Sequence, residues 1–236
     1  MYVKHPDLKN VKRLEVTLKN YQTFYGLEFL PNLEDFRLVG VFSANPKIDL
    51  SKNLKLKKVL FLMNTLLDRV DLSNLPELEE VTCTSNPMLR ELDLSSSAAK
   101  LKRVIAHMNN TTEFKLNVKG ASKLLTLESQ QNGWTAVDIT GCSSLREVLL
   151  NSGNSTENES ADTSHPTMTD ITGLDANEMP LLEKLFVPLS AKLGDNVKRF
   201  YFETKAKGRQ VLMMYGHSLI KPDTHPQYIY TDKTFN

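Results

Sequence analysis

The sequence predicts a β-rich solenoid, with a parallel sheet along one side, short strands and 3₁₀ turns along the other, and few α-helices. Two observations predict it. The first is a phrase that recurs five times: LKLKKVLFLMN (54–64), PELEEVTCTSN (76–86), AKLKRVIAHMN (99–109), SKLLTLESQQN (122–132) and SSLREVLLNSG (143–153). Its leading leucines, Leu56, Leu78, Leu101, Leu124 and Leu145, are spaced by 22, 23, 23 and 21 residues. A fixed period in the twenties marks a solenoid, whose turns bury their apolar sides against one another. The second is a block set between those phrases: IDLS (48–51), VDLS (70–73), LDLS (92–95), FKLN (114–117) and VDIT (137–140). Apolar-polar alternation over so few residues argues for short half-buried strands.

The elements follow in order. NVKRLEVTL (10–18) and LPNLEDFRLVG (30–40) extend the pattern backwards, placing Val11, Leu14 and Val16, then Leu33, Phe36 and Leu38. No cap is apparent before the first repeat. Links such as SNLPEL (73–78) suit a single turn or 3₁₀ piece. Residues 1–150 therefore read as repeats. The polar stretch 151–170 reads as an insertion loop. The pattern resumes over 171–203, where Leu182, Leu185 and Val187 fit the template. Val197, Phe200 and Phe202 predict a last strand, and KAKG followed by VLMMY predicts a closing hairpin. Residues 204–236 read as a C-terminal cap and tail. The whole amounts to about seven to eight turns, at about one per period.

The recurring asparagines, Asn64, Asn86, Asn109 and Asn132, close the phrase where the chain must leave the strand. A buried Asn there can bond backbone groups that the bend leaves unpaired, and stacking makes a ladder. The fifth phrase departs, with Gly153 at the corner and Asn154 after it.

These residues carry a resemblance. LxxLxLxxN followed by a second apolar strand resembles the leucine-rich-repeat family. ELEEVTCTSN with MLRELDLS is similar to its short-repeat bacterial surface branch, the internalin-like proteins. VDITGCSSLREVLL (137–150) is also similar to plant immune-receptor repeats. The resemblance implies a curved stack with its parallel sheet on the concave face, used to bind proteins. It implies an extracellular or cell-surface location.

Composition narrows the field. A net charge of +1 gives no global pull toward nucleic acid or anionic lipid. No run approaches the roughly 18 apolar residues of a membrane span. Cys83 takes an inward strand position and Cys142 a turn about three repeats on, so no bridge between them is expected. Sequons at Asn109, Asn110, Asn154 and Asn158 bear on a eukaryotic secretory protein. The sequence has no GxSxG, GxxxxGK[ST], GxGxxG or HExxH. No enzyme activity, cofactor or metal is expected.

The outward strand positions carry the functional candidates. One column runs Glu15, Arg37, Leu60, Thr82, Ile105, Glu128, Leu149 and Phe186. The next runs Thr17, Val39, Leu62, Thr84, His107, Gln130 and Asn151. Leu60, Leu62 and Ile105, with Met63 and Met108 nearby, place apolar side chains where water is expected, a feature of partner sites. The candidate binding set is Leu60, Leu62, Met63, Ile105, His107, Met108, Glu128, Gln130 and Leu149. The bland alternative is that these side chains pack on each other or lie under the insertion. A second column, Asp49, Asp71, Asp93 and Asp138 with Lys115 replacing one, suits Asx-type bonds better than a calcium ladder. Trp134 reads as a packing residue. The expected function is non-enzymatic recognition of a protein or glycan by a monomer. A purely architectural spacer, or the recognition domain of an enzyme whose catalytic part lies elsewhere, stays open.

Overall fold

In a computed structural model the chain is a parallel β-solenoid. The structure describes residues 6–17, 24–42, 48–110, 112–151, 168–216 and 221–235. Most of the 151–170 insertion, with Gly153, Asn154 and Asn158, lies outside them.

The strands are β1 (Arg13–Thr17), β2 (Asp35–Val39), β3 (Ile48–Asp49), β4 (Lys58–Leu62), β5 (Val70–Asp71), β6 (Glu80–Thr84), β7 (Glu91–Asp93), β8 (Arg103–Ile105), β9 (Phe114–Asn117), β10 (Thr126–Glu128), β11 (Trp134–Asp138), β12 (Glu147–Leu149), β13 (Lys184–Val187) and β14 (Leu212–Tyr215). One side is a nine-stranded parallel sheet, ordered β1-β2-β4-β6-β8-β10-β12-β13-β14. The other side carries β3-β5 and β7-β9-β11, also parallel. Five turns, from β2 to β11, thus have strands on both sides. The seven to eight turns counted from the repeat exceed these five, although the large sheet itself has nine strands.

Alternation decides the two faces of the large sheet. Phe36, Leu38, Val59, Phe61, Val81, Cys83, Val104, Ala106, Leu127, Val148, Leu150, Leu185 and Val187 point in and are buried. The leucines that open each phrase lie in the core between the sides. Register is one-to-one: Phe36 sits beside Val59, Val59 beside Val81, Val81 beside Val104. A one-residue slip would turn every inward side chain to solvent, so the pattern fixes the stacking.

The corner after each strand has a backbone signature. Met63, Ser85, Met108 and Gln131 adopt φ of 55°, 59°, 49° and 60°. This left-handed kink swings the following residue inward, and that residue is Asn64, Asn86, Asn109 or Asn132, all buried. Asn64 Nδ2 donates to Leu38 O, Asn86 Nδ2 to Phe61 O, Asn109 Nδ2 to Cys83 O and Asn132 Nδ2 to Ala106 O. Each Oδ1 accepts the backbone N–H of the preceding turn's corner, at Val41, Asn64, Asn86 and Asn109. The predicted ladder is therefore present and links adjacent turns.

The C-terminal end differs from expectation. Val197, Phe200 and Phe202 lie in a helix, α1 (Asp195–Ala206), not in a strand. Val197, Phe200 and Thr204 are its buried residues, spaced three and four apart, so the period there is helical. Gly208, at φ +67°, follows the helix in the left-handed conformation that favours glycine after a helix end. VLMMY then forms β14 parallel to β13, with α1 as the crossover, so there is no closing hairpin. A short 3₁₀ turn, Pro6–Asn10, precedes β1, with Leu8 half-buried on the core.

Candidate binding face of the large sheet

The outward positions of the large sheet form three columns. In register they run Arg13, Asp35, Lys58, Glu80, Arg103, Thr126, Glu147, Lys184, Leu212, and beside these Glu15, Arg37, Leu60, Thr82, Ile105, Glu128, Leu149, Phe186, Met214. The third column begins Thr17, Val39, Leu62, Thr84. The first column expected from the sequence, Glu15 to Phe186, is thus aligned in register, and the second is aligned from Thr17 to Thr84.

Charge alternates along the first column. Lys58 meets Glu80 at 2.8 Å, Lys184 meets Glu147 at 2.7 Å and Arg13 meets Asp35 at 3.7 Å. A parallel series sits one residue earlier, where Glu34 takes Lys12 at 3.2 Å and Lys57 at 2.7 Å, and Glu79 takes Lys102 at 2.9 Å. The Lys57 and Lys12 ammoniums hold the Glu34 carboxyl below its usual range, and Lys102 does the same for Glu79. Reading one phrase at a time hides this pattern. It emerges only when successive phrases are compared at the same position, where Lys12, Glu34, Lys57, Glu79 and Lys102 alternate in sign.

The structure brings the candidate residues together in two groups. Leu60 and Leu62 lie half-buried on β4, and Met63 at the adjoining corner is 47 % exposed. Ile105 lies on β8, with His107 and the 44 %-exposed Met108 just beyond it. β6 separates the groups, presenting Thr82 and Thr84. Two strand spacings of about 4.8 Å put Leu60 and Ile105 about 10 Å apart, with small side chains between them.

A polar network adjoins the second group. Glu128 Oε1 accepts from Arg103 Nη2 at 3.0 Å, and Glu128 Oε2 lies 4.0 Å from His107 Nε2. His107 Nδ1 accepts the backbone N–H of Gln130 at 3.1 Å, which places the neutral ring's proton on Nε2. Gln130 Nε2 donates to Asn151 Oδ1 at 3.2 Å. Burial lowers the His107 pKa from its usual value, against the attraction of Glu128, and so favours the neutral imidazole.

Leu149 has a different setting. It packs, partly buried, against Phe186 and Met214, which Leu212, Tyr228 and Ile229 also cover. Ile229 bridges Met214 antiparallel, and Tyr230 N–H donates to Met213 O. The C-terminal segment thus lies across the outer face at β13 and β14. Phe186, expected to face solvent, is buried there. Asn151, expected in the outward third column, is only 1 % exposed. The segment 221–235 has no alternation, so the sequence marks it only as part of the cap and tail over 204–236, not which strands it covers.

The remaining candidates resolve as structure. Asp49, Asp71, Asp93 and Asp138 accept the backbone N–H groups of Ser51, Ser73, Ser95 and Thr140, the expected Asx bonds. Lys115 does not enter this column. β9 is registered so that Asn117 pairs with Asp93 and Asp138, while Lys115 pairs with Glu91. Asn117 makes the same bond, to Lys119 N–H. The FKLN block must be shifted by two residues to align with its neighbours, because the apolar residue before the polar one is Leu116. Trp134 is buried edge-on to Phe114 and donates Nε1–H to Leu150 O at 2.9 Å. Cys83 and Cys142 are buried thiols whose pKa values burial raises to about 12 and about 11. Asn109 and Asn110 are buried, which leaves neither sequon presented to solvent.

No protein-family model matches the chain, and no curated protein matches it.

Proposed function

We propose that the chain is a leucine-rich-repeat recognition module, acting without catalysis, which binds a protein on the outer face of the large sheet between β4 and β12. One observation carries this. Leu60, Leu62 and Ile105 stand half-buried on a face whose flanking column is satisfied by alternating charges, with the exposed Met63 and Met108 at its edge. Interfaces combine an apolar centre with a polar rim, and Met is enriched in them. The rim here is Arg103, Glu128, His107 and Gln130. The resemblance of the repeats to bacterial surface proteins supports a cell-surface location for the module.

The test is a double variant, Leu60→Asp with Ile105→Asp, beside the wild type in binding assays against displayed surface proteins and a glycan array. Both side chains point outward, so folding should persist, as circular dichroism and a thermal melt would verify. Loss of a saturable ligand at least a hundredfold, with an unchanged melt, is expected. Selective retention on glycans instead would redirect the assignment, and an unfolded double variant would place both residues in the core.

A further inference from the structure

The sequence contains a single Asn-Gly pair, Asn132–Gly133. Such a pair carries its own chemistry, because glycine has no Cβ to hinder attack by its backbone nitrogen on the preceding carboxamide. Gly133 N bonds to Asn132 Cγ, and the Cγ–Nδ2 bond breaks. The proton lost from Gly133 N passes through water to the leaving amine, which departs as ammonia. Water then opens the cyclic imide at either carbonyl. One product is aspartate; the other is its isomer, whose main chain runs through Cβ. No oxidant or cofactor enters the balance.

The fold holds both reacting groups apart. Asn132 is the last of the four ladder asparagines and is 4 % exposed. Its Oδ1 accepts Asn109 N–H at 2.8 Å, and its Nδ2 donates to Ala106 O at 2.6 Å and to Ser129 Oγ at 3.2 Å. Gly133 N–H donates to Asn110 O at 2.8 Å. The nucleophile is thus bonded to the preceding turn, and the leaving amide to that turn and to Ser129. Attack requires the segment between β10 and β11 to lift away from the turn before it. The products do not fit back. A carboxylate at position 132 would set an oxygen against Ala106 O, where Nδ2 now donates, and would place a charge in the buried ladder. The isomer would lengthen the main chain just ahead of Trp134 and disturb the register of β11 on β9.

We propose that Asn132–Gly133 is a self-modification site sealed by the folded stack. It stays intact while its turn is docked, converts when that turn opens, and once converted prevents the ladder from closing there again. The site lies in the interior of the stack, so it does not depend on what the outer face binds.

The test incubates the full chain in mildly alkaline buffer, folded and in urea, and follows aspartate and its isomer at position 132 by peptide mapping and mass spectrometry. Conversion in urea is expected, and conversion of the folded chain at least about a hundredfold slower, since it draws on a rare opened form. Below the unfolding transition, added urea should speed conversion in step with hydrogen exchange of the Gly133 amide, which needs the same opening. Gly133→Ala, compared in urea so that its folding does not enter, should slow conversion at least about tenfold. Asn132→Asp, which reproduces one product, should lower Tm by at least about 5 °C. Equal rates in the folded and unfolded chains would overturn the seal, as would conversion that ignores the Gly133 amide's exchange. A rate in urea unchanged by Gly133→Ala would overturn the assigned chemistry. Asn132→Asp melting with the wild type would overturn the block to re-closing.

Discussion

Replacing Asn86 with alanine probes the ladder where it is fully engaged. Asn86 Oδ1 accepts Asn64 N–H at 3.2 Å and Asn64 Nδ2 at 2.9 Å. Its Nδ2 donates to Phe61 O at 3.1 Å, and to Asn109 Oδ1 at 3.1 Å. In alanine, two donors on the fully buried Asn64 lose their acceptor, and a small void opens. A buried donor left unpaired costs about 1–3 kcal/mol, so the substitution should cost about 3–5 kcal/mol in all. At this chain length that corresponds to a fall of about 10 °C in Tm. Urea unfolding followed by circular dichroism gives the value, and fluorescence of Trp134, the single tryptophan, checks that both probes report one transition. Thr82→Ala, on the outer face of β6 in the same turn, should change stability by less than about 0.5 kcal/mol. A cost below about 1 kcal/mol for Asn86→Ala would refute the ladder as a tie between turns.

Other outcomes follow from the same geometry. Gly173→Ala should be strongly destabilising, by more than about 2 kcal/mol in urea unfolding, because Gly173 has φ +82° and a Cβ there would lie 2.4 Å from Thr140 N. Cys83 and Cys142 should resist a thiol reagent at pH 8 while the chain is folded and react on unfolding, since burial raises both pKa values. His107 gives a pH dependence: its folded pKa is depressed, so the unfolded chain takes the proton first as pH falls. Its stabilising contribution is complete above pH 6.5 and declines below it, as protonation removes the Nδ1 acceptor from Gln130 N–H. The slope of Tm against pH between about 7 and 5 should flatten in His107→Gln.

Much of the fold was legible because each repeat states it again. The inward columns, the second strand block and the asparagine ladder all follow from a period of about 22 residues and strict alternation. Legibility failed where repetition stops. Val197 and Phe200 fit a strand or a helix equally over so short a stretch, and burial of Thr204 one turn on shows which period holds. The Lys115 column was misplaced because FKLN and LDLS look alike in a single line, while pairing to Asp93 and Asp138 puts Asn117 there. Of the candidate face, Leu60, Leu62, Ile105, His107, Glu128 and Gln130 stand where alternation put them. Phe186 and Asn151 do not stay exposed, because a segment distant in sequence covers one and three-dimensional packing closes over the other. The alternating charge columns were visible only across repeats.

The central claim is that recognition is written on the outer face between β4 and β12. Oxidative footprinting with the retained ligand tests it most directly, because Met63 and Met108 are exposed, oxidisable and placed at the edge of that face. Protection of Met63 and Met108, with Phe202 and Tyr25 labelled as in the free chain, is the predicted result. Unchanged labelling of both methionines beside a saturated ligand would contradict it.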